Sequence, residues 1–204
     1  MLEPDAVARP PRRERRDARA NRRRLLDAAR AALAEHGPGV SVNEVARAAG
    51  VGVGTLYRKY PTKADLLLAL LLEIHGELSA AIAEKTAGAA DSEAELQGLI
   101  EAHLEVMGRI GPIDALLRRE AAGLVAAVGP EELGDRFITP VRSVLKRGVA
   151  RGDFAADLDL DLVGRAFFGM LDSTVFAARI RRDGVVTVAA LMTRVLVHGI
   201  GARA

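Results

Sequence analysis

The 204-residue sequence contains no cysteine and no tryptophan, and aromatic residues make up 3% of it. The absence of cysteine excludes disulfide frameworks, thiolate zinc sites and a cysteine nucleophile, and makes an intracellular, cytoplasmic protein the expectation. No uninterrupted apolar run reaches membrane-spanning length, and no apolar export core follows the arginines near the start, so a soluble chain is predicted. The few aromatic residues disfavour a stacked, flavin-like ligand. What the chain does have is 50% hydrophobic residues, enough for a substantial core.

The net charge of +2 hides a strong asymmetry between the two ends of the chain. Residues 1–63 contain 14 Lys and Arg against 7 Asp and Glu, a net charge of +7, whereas the remainder contains 15 against 20, a net charge of −5. The N-terminal part therefore suits a polyanion. Residues 1–19 lack apolar periodicity, which predicts a basic disordered arm that is either a solvated tail or a DNA-contacting segment.

Apolar residues recur at helical spacing along most of the chain, and no convincing strand alternation or hairpin signal interrupts them. The first helix is predicted from Asn21 to the Gly37 stop, the second is framed by Ser41 and Gly50, and a long one begins at Thr62 and Asp65. Further helices are predicted at 92–109, 113–127, 130–151, 160–182 and 185–200, with Pro140 marking a kink or a new start. The fold class is therefore all-α, with about nine helices.

The segment "AGVGVGTLYRKYPTK" at 49–63 distinguishes two kinds of phosphate site. A nucleotide-binding loop needs a lysine after its last glycine, or a strand before a differently spaced glycine set, and neither condition holds here. A helix-turn-helix explains the positions instead: Ala46 allows two short helices to cross closely, Gly50 turns the chain, and Val45, Val51 and Leu56 face a shared core. The segment is therefore predicted to lie against DNA.

The exposed positions of the second short helix suit contact with a duplex. Glycines and a small side chain at its start bring backbone N–H groups close to DNA, and hydroxyl and ammonium groups follow. Of the two tyrosines, Tyr57 is expected to be exposed and Tyr60 to be buried. The predicted DNA-binding residues are Ser41, Gly52, Val53, Gly54, Thr55, Tyr57, Lys59 and Lys63.

Residues 21–70, "NRRRLLDAARAALAEHGPGVSVNEVARAAGVGVGTLYRKYPTKADLLLAL", resemble the DNA-binding domain of the TetR family of bacterial transcriptional regulators. The resemblance implies that Ser41, Thr55, Tyr57 and Lys63 contact the DNA backbone, and that Val53, Gly54 and Lys59 approach the bases. Gly52 replaces a frequent serine, and Lys59-Tyr60 replaces a frequent His-Phe. The implied organisation is a helix-turn-helix domain at 20–63 and a larger helical domain at 64–204 that binds an effector and forms a homodimer.

The segments "RAFFGMLDSTVFAARI" and "VVTVAALMTRVLVHGI" independently predict dimerisation, because their apolar faces are too wide for one small bundle to cover. The predicted interface residues are Phe168, Leu171, Val175, Val188, Leu191, Met192 and Val195. Candidates for an effector pocket, each of which could equally be ordinary core, are His75, His103, Met107, Phe137, Phe167 and Phe168. A small apolar or amphipathic effector is expected.

Other chemistry finds little support in the sequence. Asp157, Asp159 and Asp161 have calcium-loop spacing, but Leu162 replaces the needed glycine, so helix capping is the preferred interpretation. The four histidines form no local metal-ligand pair, and no nucleophile elbow is present. We therefore predict no metal, no cofactor and no enzyme, but a ligand-responsive repressor that binds a palindromic operator in double-stranded DNA as a homodimer. The alternatives are a nonspecific nucleic-acid-binding helical protein and a small-molecule-binding or catalytic helical protein.

Overall fold

A computed structural model describes residues 12–110, 130–171 and 173–198, and every regular element in these ranges is helical. The all-α prediction is therefore confirmed. A short 3-10 turn, Gly37–Gly39, follows the first helix. The α-helices are α1 (Arg12–His36), α2 (Val42–Ala48), α3 (Val53–Lys59), α4 (Lys63–Thr86), α5 (Ser92–Ile110), α6 (Pro130–Arg151), α7 (Leu160–Met170), α8 (Ser173–Asp183) and α9 (Val185–His198).

Helix α1 begins at Arg12, nine residues before the predicted start at Asn21, so the prediction of a disordered arm over residues 1–19 is wrong from Arg12 onward. Residues 12–24 carry Arg, Ala and Glu, residue types that favour helix intrinsically, and they include no large apolar residue. Apolar periodicity detects only helices that pack against a core, and it starts in α1 at Leu25. Residues 1–11 of the predicted arm lie outside the described residues.

The chain divides into two compact units, Met1–Leu66 and Leu67–Ala204. In the first unit, α1 packs on α2 and α2 on α3. Val45 and Ala46 of α2 and Leu56 of α3 are each at most 1% exposed. Gly50 has φ 65°, in the left-handed region that glycine adopts without strain. The predicted small crossing residue, turn glycine and shared core are therefore confirmed.

In the second unit, α5 is the central helix: it contacts α6, α8 and α9. Helix α6 continues through Pro140, so that proline starts no new helix. The single helix predicted over 160–182 is instead two, α7 and α8, which end and begin on either side of Leu171 and Asp172. The helix predicted at 113–127 lies outside the described residues.

A buried carboxylate joins α5 to α6 in the second unit. Glu95 is 5% exposed, and it accepts hydrogen bonds from Arg147 and, at 3.2 Å, from Arg151. Arg151 also donates to the Ser92 hydroxyl at 3.2 Å. Because a lone buried charge would be costly, these two arginines explain how Glu95 is tolerated in the core.

Helix α4 is, among the described residues, the one helix long and apolar enough to cross a membrane by length and composition alone. The same property is found in core helices of soluble proteins, and α4 carries an inward stripe of buried residues at helical spacing, including Leu70, Ile74 and Leu78. Glu73 and Glu77 interrupt its apolar sequence, so no uninterrupted apolar run of membrane-spanning length occurs in α4.

Candidate nucleic-acid interface

Helix α3 has a packed side and a solvent-facing side. Leu56 is 1% exposed and Tyr60, just beyond the helix, is 6% exposed, so one side is anchored in the core. Val53 and Tyr57 lie one turn apart and are each 42% exposed. The prediction that Tyr60 is buried and Tyr57 exposed is confirmed. A large apolar pair exposed beside an anchored face gives α3 a preformed contact surface.

The start of α3 contains two glycines that neither packing nor backbone conformation within the subunit requires. Gly52 and Gly54 lie outside the left-handed region, so backbone conformation does not require glycine at either position. A Cβ on Gly54 would meet nothing within 4 Å, and one on Gly52 would approach only the Thr55 hydroxyl, at 3.8 Å. Glycine at both positions leaves the N–H groups of the first turn accessible to an anion.

Helix α2 is capped by a reciprocal pair of hydrogen bonds. The Ser41 N–H donates to Glu44 Oε2 at 2.7 Å, and the Glu44 N–H donates to the Ser41 hydroxyl at 3.2 Å. Hydrogen bonds from the Ser41 backbone and hydroxyl lower the pKa of Glu44 below its usual 4.5. The capping-box prediction is confirmed, and the Ser41 hydroxyl already donates to Glu44, at 2.8 Å.

A second cap of the same kind begins α4. The Thr62 N–H donates to Asp65 Oδ2 at 2.9 Å, and the Asp65 N–H donates to the Thr62 hydroxyl at 3.1 Å. This arrangement confirms the predicted helix start and fixes the backbone of Lys63, which follows Thr62 directly. Lys63 itself is half-buried, whereas Thr55 is exposed.

The C-terminal end of α3 is strongly basic. Lys59 is exposed, and its ammonium lies 5.8 Å from the centroid of the Tyr60 ring. Partial burial, and then the positive charge of Arg22, lower the pKa of Lys59 below its usual 10.5. Because a neighbouring anion would relieve that repulsion, phosphate binding here is electrostatically favoured.

The predicted residues of α3 are all exposed, and two further cationic residues that were not predicted lie in the same region. The positive charge of Arg22 acts on Lys59, and Arg58 is exposed in the last turn of α3. The run Arg22-Arg23-Arg24 was the available signal for the first, and the cationic pair Arg58-Lys59 for the second. No metal ligand set of three or more His, Asp or Glu residues occurs among the described residues.

The predicted effector-pocket residues whose side chains the structure describes are mostly buried in the core. His103, Met107 and Phe167 are each at most 5% exposed, and His103 Nε2 lies 3.0 Å from the Leu171 carbonyl oxygen. His103 is therefore a hydrogen-bonded core histidine, the alternative raised from the sequence. His75 is half-buried. The side chains of Phe137 and Phe168 lie outside the described residues.

The predicted dimer interface needs correction at three positions. Leu171, Val188 and Met192 are at most 8% exposed within the subunit itself, so a partner could not reach them. Val188 and Met192 were wrongly predicted because apolar periodicity in α9 marks the face that packs on α5 within the same subunit. Leu191 is half-buried and Val195 is 43% exposed, and the Val175 side chain lies outside the described residues.

Two of the three aspartates at 157–161 act at the start of α7: Asp159 caps the helix and Asp161 pairs within it. Asp159 Oδ1 accepts hydrogen bonds from the N–H groups of Asp161, at 3.1 Å, and Leu162, at 3.0 Å. Asp161 instead accepts a hydrogen bond from Arg165 at 2.8 Å, and this bond lowers its pKa. The capping interpretation is confirmed for Asp159.

Comparison with known proteins extends the match beyond α1–α4. Residues 25–70 match the bacterial regulatory proteins, tetR family. The chain is 30% identical over 167 residues to the transcriptional repressor KstR2 of Rhodococcus jostii, with 80% of each chain covered. It is 40% identical over 127 residues to the repressor LfrR of Mycolicibacterium smegmatis, covering 59% of this chain and 62% of that one.

Solved structures agree in fold. The fatty acid degradation regulator FadR of Bacillus halodurans superposes with a TM-score of 0.77 at 26% identity, covering 90% of this chain and 97% of that one. The exposed side of α3, the capped neighbouring helices and these relatives lead to one conclusion: the chain belongs to the TetR family of bacterial transcriptional regulators and is a DNA-binding protein of that class.

Proposed function

We propose that the protein is a cytoplasmic, ligand-responsive repressor that binds a palindromic operator as a homodimer. The observation that carries the proposal is the two-sided character of α3: Leu56 and Tyr60 fix the helix, while Val53 and Tyr57 remain exposed beside Gly54. A helix of this kind can enter a major groove and present side chains to base edges. The relatives named as repressors support the direction of regulation.

The DNA-contacting residues belong to two groups in this proposal. Val53, Gly54 and Lys59 approach the bases, while Thr55, Tyr57 and Lys63 hold phosphate, together with the N–H groups near Gly52. Ser41 contributes chiefly by capping α2, because a phosphate contact from its hydroxyl would need the bond to Glu44 to be released. Arg22 and Arg58 add positive charge around this surface.

Selection from a pool of random duplexes tests the proposal. The parent protein is run beside Tyr57→Ala and Lys63→Ala, with Lys146→Ala of the exposed surface of α6 as the matched control. We expect the parent and the control to enrich the same two-fold symmetric site, and the two α3–α4 variants to enrich it weakly. Failure of the parent to enrich any sequence, despite salt-sensitive binding, would instead favour a nonspecific nucleic-acid-binding protein.

The homodimer is proposed to form through exposed apolar side chains of α7 and α9. Leu162, Met170, Val186 and Val195 are between 43% and 64% exposed, so a partner subunit could bury them. Sedimentation at micromolar concentration should give a dimer, and Val186→Asp combined with Val195→Asp should shift it toward monomer with the fold retained by circular dichroism. A parent protein that sediments as a monomer would contradict this part of the proposal.

The effector is proposed to bind in the second unit. A relative from Bacillus subtilis, 26% identical over 155 residues, is a fatty acid metabolism regulator, and a ketosteroid regulator of Mycobacterium tuberculosis has a similar structure at 27% identity with a TM-score of 0.61. Both names concern compounds with large apolar bodies. An apolar or amphipathic small molecule is therefore the expected class of effector, and its binding would be coupled to DNA affinity by about 1–3 kcal/mol.

A further inference from the structure

A cleft of about 540 Å³ opens in the second unit between α5, α8 and the first residue of α9. Its volume lies within the range of small-molecule sites. Leu104, Ala177, Ile180 and Val185 give it an apolar wall. Its remaining lining consists of Glu105, Gly108, Arg109 and Arg181.

The charges around the cleft do not balance. Glu105 is already paired with Lys85, whose Nζ lies 2.8 Å from Glu105 Oε1. In α8, Asp183 is paired with both Arg179 and Arg182. By contrast, neither Arg109 nor Arg181, both exposed, has an ion pair with another described residue, so the two guanidinium groups can bind an anion beside the apolar wall.

Two backbone features of the cleft also favour the binding of a ligand there. Val185 is the first residue of α9, whose first turn contains no acidic residue, so the positive end of that helix dipole adds to the arginine charges. A Cβ on Gly108 would meet nothing within 4 Å, and its backbone is not in the left-handed region. Neither packing nor conformation therefore requires glycine there, and its absent side chain leaves the cleft open.

We propose that this cleft binds a small amphipathic anion. Its aliphatic or alicyclic body would lie against Leu104, Ile180 and Val185, and its carboxylate or phosphate group would be held by Arg109 and Arg181, which match the geometry of these groups. This inference rests on the proposed function, because it gives the effector its chemical class. An uncharged or cationic ligand of the same body would leave the two guanidinium groups unpaired and would bind less tightly.

Calorimetric titration with four probes of equal chain length tests the head group separately from the apolar body. The probes are decanoate, decyl phosphate, decanol and decyltrimethylammonium, each titrated into the full-length protein without DNA. We expect at least one of the two anions to bind about tenfold or more tightly than decanol, which corresponds to one charge-assisted contact. Whichever anion binds more tightly identifies carboxylate or phosphate as the recognised group.

Variants assign the effect to the cleft. Arg109→Gln combined with Arg181→Gln should remove the preference for anions, whereas Arg194→Gln, an exposed arginine of α9 outside the cleft lining, should keep it. Gly108→Leu should weaken all ten-carbon probes by filling the space without changing the charge. Equal binding of decanol and the anions, tighter binding of the cation, or an anion preference that survives the double substitution would overturn the proposal.

The two proposals can fail separately. Because the titrations contain no DNA, a protein that enriches no operator can still show or lack the anion preference. If the parent enriches a two-fold symmetric site but binds no anion preferentially, the cleft proposal is overturned and the regulator stands. If the anion binds at the cleft but does not change affinity for the selected duplex, the site stands and the ligand-responsive part of the proposed function is overturned.

Discussion

At the residue scale, three helical glycines show where packing inside the subunit requires glycine and where it does not. A Cβ on Gly54 of α3 or Gly76 of α4 would meet nothing within 4 Å, whereas one on Gly98 of α5 would lie 2.6 Å from the backbone oxygen of Lys85. Gly98 is therefore explained by close packing of the chain. Neither Gly54 nor Gly76 is required by packing inside the subunit, and for Gly54 the proposed contact with DNA supplies a reason.

Gly54→Leu should weaken binding to the selected operator by about tenfold or more, because a side chain would hold the start of α3 away from the duplex. Leucine has a higher helix propensity than glycine, so the free energy of unfolding should not fall and should rise by up to about 1 kcal/mol. Fluorescence anisotropy with labelled duplex and urea denaturation measure the two quantities.

Gly76→Leu is the matched control, since it replaces another exposed helical glycine with open space around it. It should produce the same gain in the free energy of unfolding without loss of DNA affinity. Equal DNA affinity of Gly54→Leu and the parent would remove Gly54 from the interface.

Gly98→Ala is expected to lower the free energy of unfolding by about 1–3 kcal/mol, because the added methyl group overlaps the Lys85 carbonyl and the helices must shift. Urea denaturation of this variant beside Gly76→Ala checks the sign, since the second substitution should be neutral or stabilising. A gain in stability from Gly98→Ala would mean that the approach of α5 to Lys85 is looser than described.

At the element scale, the starts of α2 and α4 follow from their caps. Ser41 with Glu44 starts α2, and Thr62 with Asp65 starts α4, both through reciprocal hydrogen bonds that satisfy backbone N–H groups. Since α2 is only 7 residues long, its start is a large share of the element. In the proposed complex, the orientation of α3 on DNA would therefore depend in part on the caps of the helices before and after it.

The Glu44 cap gives a pH dependence with a defined sign. Its folded-state pKa is lowered from the usual 4.5, so its contribution to stability is present above that pH and is lost as the pH falls through the lower, folded-state value. Glu44→Gln should be less stable than the parent at neutral pH, and the difference should shrink progressively below about pH 4.5. Urea denaturation across the pH range measures it, and a difference that grows on acidification would contradict the assignment.

Much of the element order could be predicted from the sequence, because capping pairs and turn glycines are local. Gly50, Ser41 and Thr62 each act through neighbours within a few residues, so spacing alone identifies their roles. The early start of α1 could not be predicted from periodicity, because residues 12–24 contain no apolar pattern. The break near Leu171 depends on tertiary contacts such as the one from His103.

At the scale of the whole molecule, the sequence predicted the kind of surface that each part of the chain carries. It predicted less well which residues form that surface. Charge asymmetry correctly indicated a DNA-binding N-terminal part. The dimer residues were misassigned at Val188 and Met192, because apolar periodicity cannot distinguish a face that packs within the subunit from one that packs on a partner. The two arginines of the proposed anion site were not predicted for a related reason: Arg109 and Arg181 become notable only when the fold shows that neighbouring acids are already paired.

In the proposed function, α3 reads the base sequence of the operator while basic side chains hold phosphate groups of the DNA backbone. The most direct measurement is the affinity of the parent protein for the selected two-fold symmetric duplex and for a scrambled duplex of equal length, each across a range of salt concentrations. Both affinities should fall with a log-log slope of about −0.9 per phosphate neutralised, and the selected duplex should bind about a thousandfold or more tightly. Equal affinity for the two duplexes, or affinities that do not change with salt, would contradict the account.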